Sequence, residues 1–410
     1  MKYVIIGNST AAIACIEAVR TQDKEGKITV VSDEKHHCYG RPTISYCLMG
    51  ATSRENMKYR PDDFYEKNSV DCIFGERAVA IDAKKKQVAL SNGEKIDYDK
   101  LLVATGSRPF VPPMEGLDGV KNKFSFMTYD DMDALDKAVS AEKDVLVIGA
   151  GLIGLKCVEG ILERVKSVTV VDLADRVLPS VLDAQGAAII QRQLEGKGVK
   201  FILNDCAASF SANAVKLKNS GKELSFDILV VAVGVRPNTE LIVDAGGEVN
   251  RGIVVDTGMR TSLPDVYAAG DCAEGYDSSI GANRILALLP NAYFQGKVAG
   301  VNMSGGKAEQ TNAIPMNAIG FFGSHVLTAG IYEGECISDV KGDVYKKLFI
   351  KDDKLVGFIL INDFLRAGIY TQLIRDKVDL SGVDMRLLTE KPQLLAFSEE
   401  VRQAKLTVKV

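Results

Sequence analysis

Val145-Leu146-Val147-Ile148-Gly149-Ala150-Gly151-Leu152-Ile153-Gly154 is the stretch whose reading decides the fold. Four apolar residues suited to a buried strand break into a glycine turn, and an apolar-periodic helix leaves from it. That layout aims free backbone N–H groups at a pyrophosphate. Gly149, Gly151 and Gly154 keep the G-x-G-x-x-G spacing, at which a side chain would hold a phosphate away from the backbone. The strand 167–171 follows and ends at Asp172, whose carboxylate can accept from a ribose diol. An acid there disfavours a 2′-phosphate, so NADH is expected over NADPH, with Arg176 close enough to blur the preference. Leu152 and Ile153 at the helix start, and Val233 and Gly234 after a later strand, complete the expected NAD set.

The N-terminus repeats the pattern in weaker form. Val4-Ile5-Ile6-Gly7-Asn8-Ser9-Thr10-Ala11-Ala12 keeps the first glycine, but Ser9 replaces the second and Ala12 the third. Its context restores the reading: a helix through Arg20, the strand 28–31, then Ser32-Asp33-Glu34 reproduce the strand, helix, strand, acid order. Asp33 or Glu34 is expected to take a second ribose. A ligand-free, glycine-lined helix start competes with this reading for the first copy alone and loses ground once two copies stand in one chain. Two dinucleotides side by side imply electron transfer.

At 410 residues the chain exceeds a single core, and three units are expected. An apolar fraction of 46% and a charged fraction of 25% are those of an ordinary soluble protein, with no apolar run long enough to span a bilayer. Met1-Lys2 leads straight into a strand, so no signal peptide is expected and the cytoplasm is the expected compartment. A net charge of −4 gives no electrostatic reason for nucleic-acid or anionic-membrane binding. The 8 cysteines are scattered without C-x-x-C spacing, which argues against a cluster, a structural zinc or a redox disulfide from neighbouring thiols. His36-His37-Cys38 reads as a polar loop rather than a metal site, since adjacent residues rarely turn to one ion. Lys84-Lys85-Lys86 reads as a hairpin turn.

A second echo marks where each nucleotide unit ends. Leu101-Leu102-Val103-Ala104-Thr105-Gly106-Ser107-Arg108-Pro109 is matched by Leu229-Val230-Val231-Ala232-Val233-Gly234-Val235-Arg236-Pro237. Prolines 109, 112 and 113 suit a crossing between domains. A helix is expected over 128–139, strands over 252–256 and 266–271, and a helix over 290–303. From about Pro315 the pattern changes: 345–350 and 355–361 read as a hairpin around a charged turn, and 367–377 as a helix. Residues 386–410 show no clear period.

These residues resemble the FAD-dependent pyridine nucleotide-disulfide oxidoreductases, in the branch of NADH:rubredoxin reductases, ferredoxin reductases and nitrite reductase flavin modules. The resemblance runs through Gly7 to Ala12, Tyr39-Gly40-Arg41-Pro42, Ala104-Thr105-Gly106, Gly149 to Gly154, Ala268-Ala269-Gly270-Asp271, Asn291-Ala292 and Gln295-Gly296. It implies an α/β architecture of two Rossmann-like domains plus a C-terminal α+β interface domain. A discontinuous FAD domain would span 1–112 and 240–314, an inserted NAD(P)H domain 113–239, and the interface domain 315–410. FAD would be held by the first loop, Asp33 or Glu34, Arg41, Pro42, Val79, Ala104, Thr105, Gly106 and Arg108. Gly270, Asp271, Asn291 and Ala292 would complete the set, with Asp271 on the ribityl and pyrophosphate region.

Two departures narrow the implied chemistry. Aligned on Gly50, the thiol of single-cysteine relatives falls near Pro42, and proline has no thiol chemistry; Cys38 and Cys47 read as packing residues. Lys156 stands where many relatives carry a glutamate facing nicotinamide and flavin, and its direction, inward or to solvent, is left open. With no side chain certain to be catalytic, the reaction is expected to centre on the flavin, with Lys156 and Arg41 beside it. Electrons would pass from NADH through FAD to an external one-electron acceptor: rubredoxin, ferredoxin or an iron–sulfur subunit. An NADH oxidase, or a flavoprotein subunit of a larger redox complex, is the alternative; a homodimer stays open.

Overall fold

The computed structural model describes residues 1–406 and divides into two compact units, 1–276 with 283–310, and 277–282 with 311–410. In the larger unit the chain lays down β1 (Lys2–Ile6), α1 (Thr10–Gln22), β2 (Lys27–Ser32), α2 (Thr43–Leu48), β3 (Val70–Phe74) and β4 (Lys100–Val103). It continues through α3 (Tyr129–Ala138), β5 (Asp144–Ile148), α4 (Leu152–Ile161), β6 (Ser167–Val171), β7 (Lys200–Ile202) and β8 (Ile228–Val231), and returns with β9 (Val266–Ala268) and α5 (Leu289–Met303).

Two parallel sheets result, and they are built alike. The first has the order β9-β4-β1-β2-β3; the second runs β7-β6-β5-β8 with Lys123–Phe124 at its edge. After a charged first residue, Lys2 or Asp144, their central strands are apolar and buried, as sheets covered on both faces require. The correspondence reaches single hydrogen bonds. Gly7 N–H donates to Val31 at 2.8 Å and Gly149 N–H to Val171 at 2.8 Å; Ala104 donates to Ile6 at 2.7 Å and Ala232 to Ile148 at 2.8 Å.

The echoed Arg-Pro segments meet each other. Ser107–Pro109 and Val235–Pro237 form a two-stranded antiparallel ladder that pairs Arg108 with Arg236. What repeats in sequence as two domain ends is in space one connection. The expected strand over 252–256 shrinks to Ile253–Val254, because Asp256 N–H turns back to the Arg260 carbonyl. The helix expected over 128–139 is α3, fixed by a reciprocal capping box between Thr128 and Asp131.

The smaller unit carries a five-stranded antiparallel sheet. In chain order its strands are β10 (Met316–Phe321), β11 (Ser324–Gly330), β12 (Glu335–Lys341), β13 (Val344–Lys351) and β14 (Lys354–Ile361), arranged β10-β11-β14-β13-β12. The charged turn between β13 and β14 is confirmed: Asp352 and Asp353 both take positive φ, at 51° and 52°, as a tight hairpin turn demands. Helix α6 (Ala367–Arg375) covers the sheet through Tyr370, Leu373 and Ile374, packed with Leu348, Phe358 and Leu360. The tail differs from its patternless reading. Asp384 accepts from Leu387 N–H and starts α7 (Met385–Glu390), and α8 (Glu399–Leu406) follows; 407–410 lie outside the described residues.

Candidate functional site: paired nucleotide cradles

The first cradle is a cleft of about 310 Å³ at the carboxyl ends of β1, β2 and β4, where parallel sheets bind ligands. Gly7 opens it at φ +111°, and a Cβ there would lie 2.1 Å from the Ala104 carbonyl oxygen. Only glycine lets the turn pass that close to the neighbouring strand. Ser9 then sits extended at the N-cap of α1 without a side-chain cap bond. The cleft therefore faces a helix N-terminus that its own side chain leaves uncapped.

Most of the expected FAD residues meet here. Gly7, Ser9, Thr10 and Ala11 line one wall, Asp33, Glu34, Arg41 and Val79 another, and Ala104, Thr105, Gly106, Gly270, Asp271 and Ala292 the floor and far side. Ala12, Pro42, Arg108 and Asn291 are not among the lining residues. Ala12 is buried in α1, and Pro42 precedes α2 as its N-cap. Arg108 turns to Asn238 Oδ1 at 2.8 Å and Glu240 at 2.6 Å, and Asn291 is buried in α5. Asn8, Ser107, Met127 and Asn238 line the cleft without having been singled out. Asn8 and Ser107 adjoin motif residues and could have been added; Asn238 and Met127 come from the crossing segments and carry no local signal.

Electrostatics refine the two acids. Glu34 accepts from Arg41 at 2.5 Å and from the Tyr39 hydroxyl at 2.6 Å, while Arg41 also donates to the Met127 carbonyl at 3.0 Å. Glu34 is thus committed to Arg41, and Asp33 is the cleft carboxylate without that engagement. Asp271 accepts from Ser107 Oγ at 3.0 Å; desolvation pushes its carboxyl above the usual range, against the opposing pulls of Ser107 and Arg41.

In the second cradle Gly149 has φ +114°, and a Cβ would lie 2.3 Å from the Ala232 carbonyl oxygen. At Gly154 a Cβ would meet the Gly149 carbonyl oxygen at 2.0 Å, so this glycine is required by helix-to-loop packing. Gly151 has open space around it and an ordinary φ of −80°. Asp172 accepts from the Ala150 N–H at 2.6 Å and the Ala174 N–H at 2.7 Å, so it staples the glycine loop to the strand end. Arg176 is held by Asp175 at 2.7 Å and near the Leu182 carbonyl at 3.4 Å. Leu152 and Ile153 form the first turn of α4, and Gly234 stands at φ +124° just after Val233.

No cysteine lines the first cradle. Cys47 lies on α2 beside Arg54, Asp133 and Asp136, and burial pushes its thiol up. Lys156 goes neither to solvent nor into the cleft: its ammonium pairs with Glu159 and sits 4.2 Å over the Tyr46 ring. His36 stacks on Tyr129 at 4.1 Å and meets Asp130 at 2.8 Å, in a loop as expected. Among the described residues no group of His, Cys, Asp and Glu has metal-binding geometry, and no helix is long and apolar enough to cross a membrane.

Residues 1–296 match the family model described as pyridine nucleotide-disulphide oxidoreductase. The chain belongs to that family. Residues 315–378 match a second model, the rubredoxin NAD+ reductase C-terminal domain. As a pyridine nucleotide-disulphide oxidoreductase it is an enzyme that uses FAD and NAD(H). It is similar to the NADH-dependent phenylglyoxylate dehydrogenase subunit epsilon of Aromatoleum evansii, with 32% identity over 98% of this chain and 97% of that protein. It is 35% identical to the assimilatory nitrate reductase electron transfer subunit of Bacillus subtilis, over 88% of this chain but only 48% of that longer protein. A solved putidaredoxin reductase–putidaredoxin covalent complex matches with TM-score 0.89 and 26% identity over 99% of both chains.

Proposed function

We propose that this family member carries FAD in the Gly7 cradle and binds NADH in the Gly149 cradle, and passes electrons to a separate one-electron acceptor. A rubredoxin, a ferredoxin or an iron–sulfur subunit would serve as that acceptor. The observation that carries the reading is the pair of equivalent cradles in one unit, the first of them lined by no thiol. On this reading the FAD domain comprises 1–112 and 240–314, the NADH domain 113–239 and the C-terminal domain 315–410, and the protein works in the cytoplasm.

Bound FAD would accept an electron pair and release it in single steps. The protein's own residues bind and orient. The α1 N-terminus offers N–H groups to a pyrophosphate, Asp33 accepts from a ribose, and Asp271 with Ser107 holds a polyol hydroxyl. In the second cradle the N-terminus of α4 does the same for NADH. Asp172, its loop-facing lone pairs taken by Ala150 and Ala174, keeps acceptor capacity for a ribose and repels a 2′-phosphate. Arg176, the arginine nearest in sequence, is engaged by Asp175 rather than offered to that phosphate.

A second reading is supported by the end-to-end match with a protein named as a dehydrogenase subunit: the chain as the electron-entry subunit of a larger redox complex. Anaerobic NADH titration of the purified protein tests the shared claim, the bound flavin bleaching with one NADH per FAD. Capture of the acceptor from the source cells, followed by turnover with and without it, separates the two readings. A flavin that NADH does not bleach overturns both.

A further inference from the structure

The junction between the two cradles holds a largely enclosed ion pair that the reading above does not use. Helix α2 starts two residues after Arg41, which lines the first cradle, and α4 starts at the second cradle's glycine loop. The two helices cross closely: a Cβ on Gly160 would stand 3.2 Å from the Ser45 carbonyl oxygen and 3.3 Å from Leu48 Cβ. One turn before Gly160 on the same face of α4 is Lys156. Its side chain is only 15% exposed and that of its partner Glu159 only 4%. The ammonium lies 4.2 Å over the Tyr46 ring, on α2.

This pair is a fixed dipole with a direction. Its carboxylate end is buried in α4, and its ammonium end is extended across the crossing onto the helix that runs out of the first cradle. A surface i,i+3 pair would be worth little and would be screened; one so enclosed acts through a low dielectric and keeps its field. The ring face of Tyr46 holds the cation without neutralising it.

We propose that Lys156 is a charge-setting residue of the electron-transfer step, with Glu159 and Tyr46 as its positioning residues, and that it raises the reduction potential of the flavin in the first cradle. The proposal rests on the assignment of FAD to that cradle. Oxidation of NADH to NAD+ delivers two electrons and one proton to the flavin, which near neutral pH leaves it one negative charge richer. With the ammonium carried across onto α2, the helix that leaves the first cradle, the cation stabilises that added charge, and the carboxylate held back in α4 opposes the effect.

The sign of the change on either side of the pair is the test. The flavin midpoint potential is measured by dye equilibration in wild type, Lys156→Met, Lys156→Arg and Glu159→Gln, each with circular dichroism to confirm folding. Lys156→Met should lower the potential by about 30 mV or more, a tenfold change in the two-electron equilibrium. Lys156→Arg should restore it, and Glu159→Gln should raise it. Loss of packing alone cannot move the two neutralised variants in opposite directions. An unmoved or raised potential in Lys156→Met, with flavin retained, overturns the proposal and leaves the FAD assignment standing. Should Lys156→Met not hold flavin, Glu159→Gln decides: no rise overturns it. A wild-type chain that purifies and reconstitutes without flavin overturns both.

Discussion

Substituting alanine at two glycines of one loop separates what the fold needs from what the ligand needs. At Gly149 the added Cβ would lie 2.3 Å from the Ala232 carbonyl oxygen, where real contacts stay beyond 3.0 Å, so the backbone must give by 3.0 − 2.3 = 0.7 Å. The residue also sits at φ +114°. The left-handed penalty of about 1–2 kcal/mol and an overpacking cost of about 1–3 kcal/mol sum to about 2–5 kcal/mol. For a unit of this size that lowers Tm by about 4–10 °C. A Cβ on Gly151 would meet nothing within 4 Å and the φ is ordinary, so alanine there loses only N-cap preference, about 1 kcal/mol or less. Yet a pyrophosphate approaching the α4 N-terminus would meet the new methyl group. Gly151→Ala should keep its Tm within about 3 °C, keep its flavin and raise KM for NADH about tenfold, equivalent to about 1.4 kcal/mol. Thermal melts and steady-state kinetics with a one-electron acceptor dye measure both. A KM for Gly151→Ala within twofold of wild type would show that NADH does not lie on this loop. A Gly149→Ala melt no lower than that of Gly151→Ala would refute the contact argument itself.

Coenzyme choice follows from Asp172 and its neighbours. Asp172→Ala strips partners from two backbone N–H groups, so Tm should fall by several degrees while the NADH-over-NADPH preference drops at least tenfold; unchanged preference would remove Asp172 from the ribose site. Asp175→Asn releases Arg176 and should lower KM for NADPH, without the loss of stability. Cys47→Ser should leave NADH-driven reduction within twofold of wild type, since the thiol is held protonated by burial and lies outside the cleft; a collapse in rate would restore a thiol relay. Asp271, whose folded carboxyl titrates above the ordinary value near 3.9, binds its proton more tightly folded than unfolded. The flavin-free wild type therefore loses stability as pH rises from about 3.9 through the raised value. Asp271→Asn should melt higher than wild type at neutral pH and converge with it in acid, and the opposite order would refute the desolvation argument.

The sequence carried the architecture where a pattern is local, and stopped where a partner is distant. The strand, glycine and helix order of both cradles could be read because each step is set by neighbours a few residues apart. So could the charged β13–β14 turn, whose two aspartates accept positive φ. The Arg-Pro echo was visible as repetition, but nothing local says that the two copies pair with each other. Glu34 looked like a ribose acceptor because its partner Arg41 lies in the next loop, and only folding brings the two within 2.5 Å. The direction of Lys156 was undecidable for the same reason: Tyr46 is 110 residues earlier in the chain. The short helices after Arg386 gave no period because they span too few turns, and a single cap at Asp384 starts the first of them.

The weaker glycine pattern of the first loop has a structural counterpart elsewhere in the chain. In the second cradle Gly154 must be glycine because α4 presses on its own loop, with a Cβ 2.0 Å from the Gly149 carbonyl oxygen. In the first, Ala12 occupies the equivalent place with its methyl group buried, and a close approach on α1 is made by another helix. There α5 meets α1 through Gly296, where a Cβ would lie 2.0 Å from the Ala11 carbonyl oxygen, and Gly300, 2.6 Å from that of Cys15. Gln295 locks the same crossing by accepting from Gly270 N–H at 2.8 Å, next to Asp271. The constraint has moved from the loop to the returning helix. Gly296→Ala should therefore act as a first-cradle mutation although it lies 289 residues from Gly7. It displaces Ala11, a cleft residue, and should lower stability by about 2 kcal/mol or more and speed flavin release, while NADH affinity changes little. Flavin fluorescence on dilution and a thermal melt measure the two effects. A variant that keeps its flavin as tightly as wild type would show that the α1–α5 crossing does not set the first cradle.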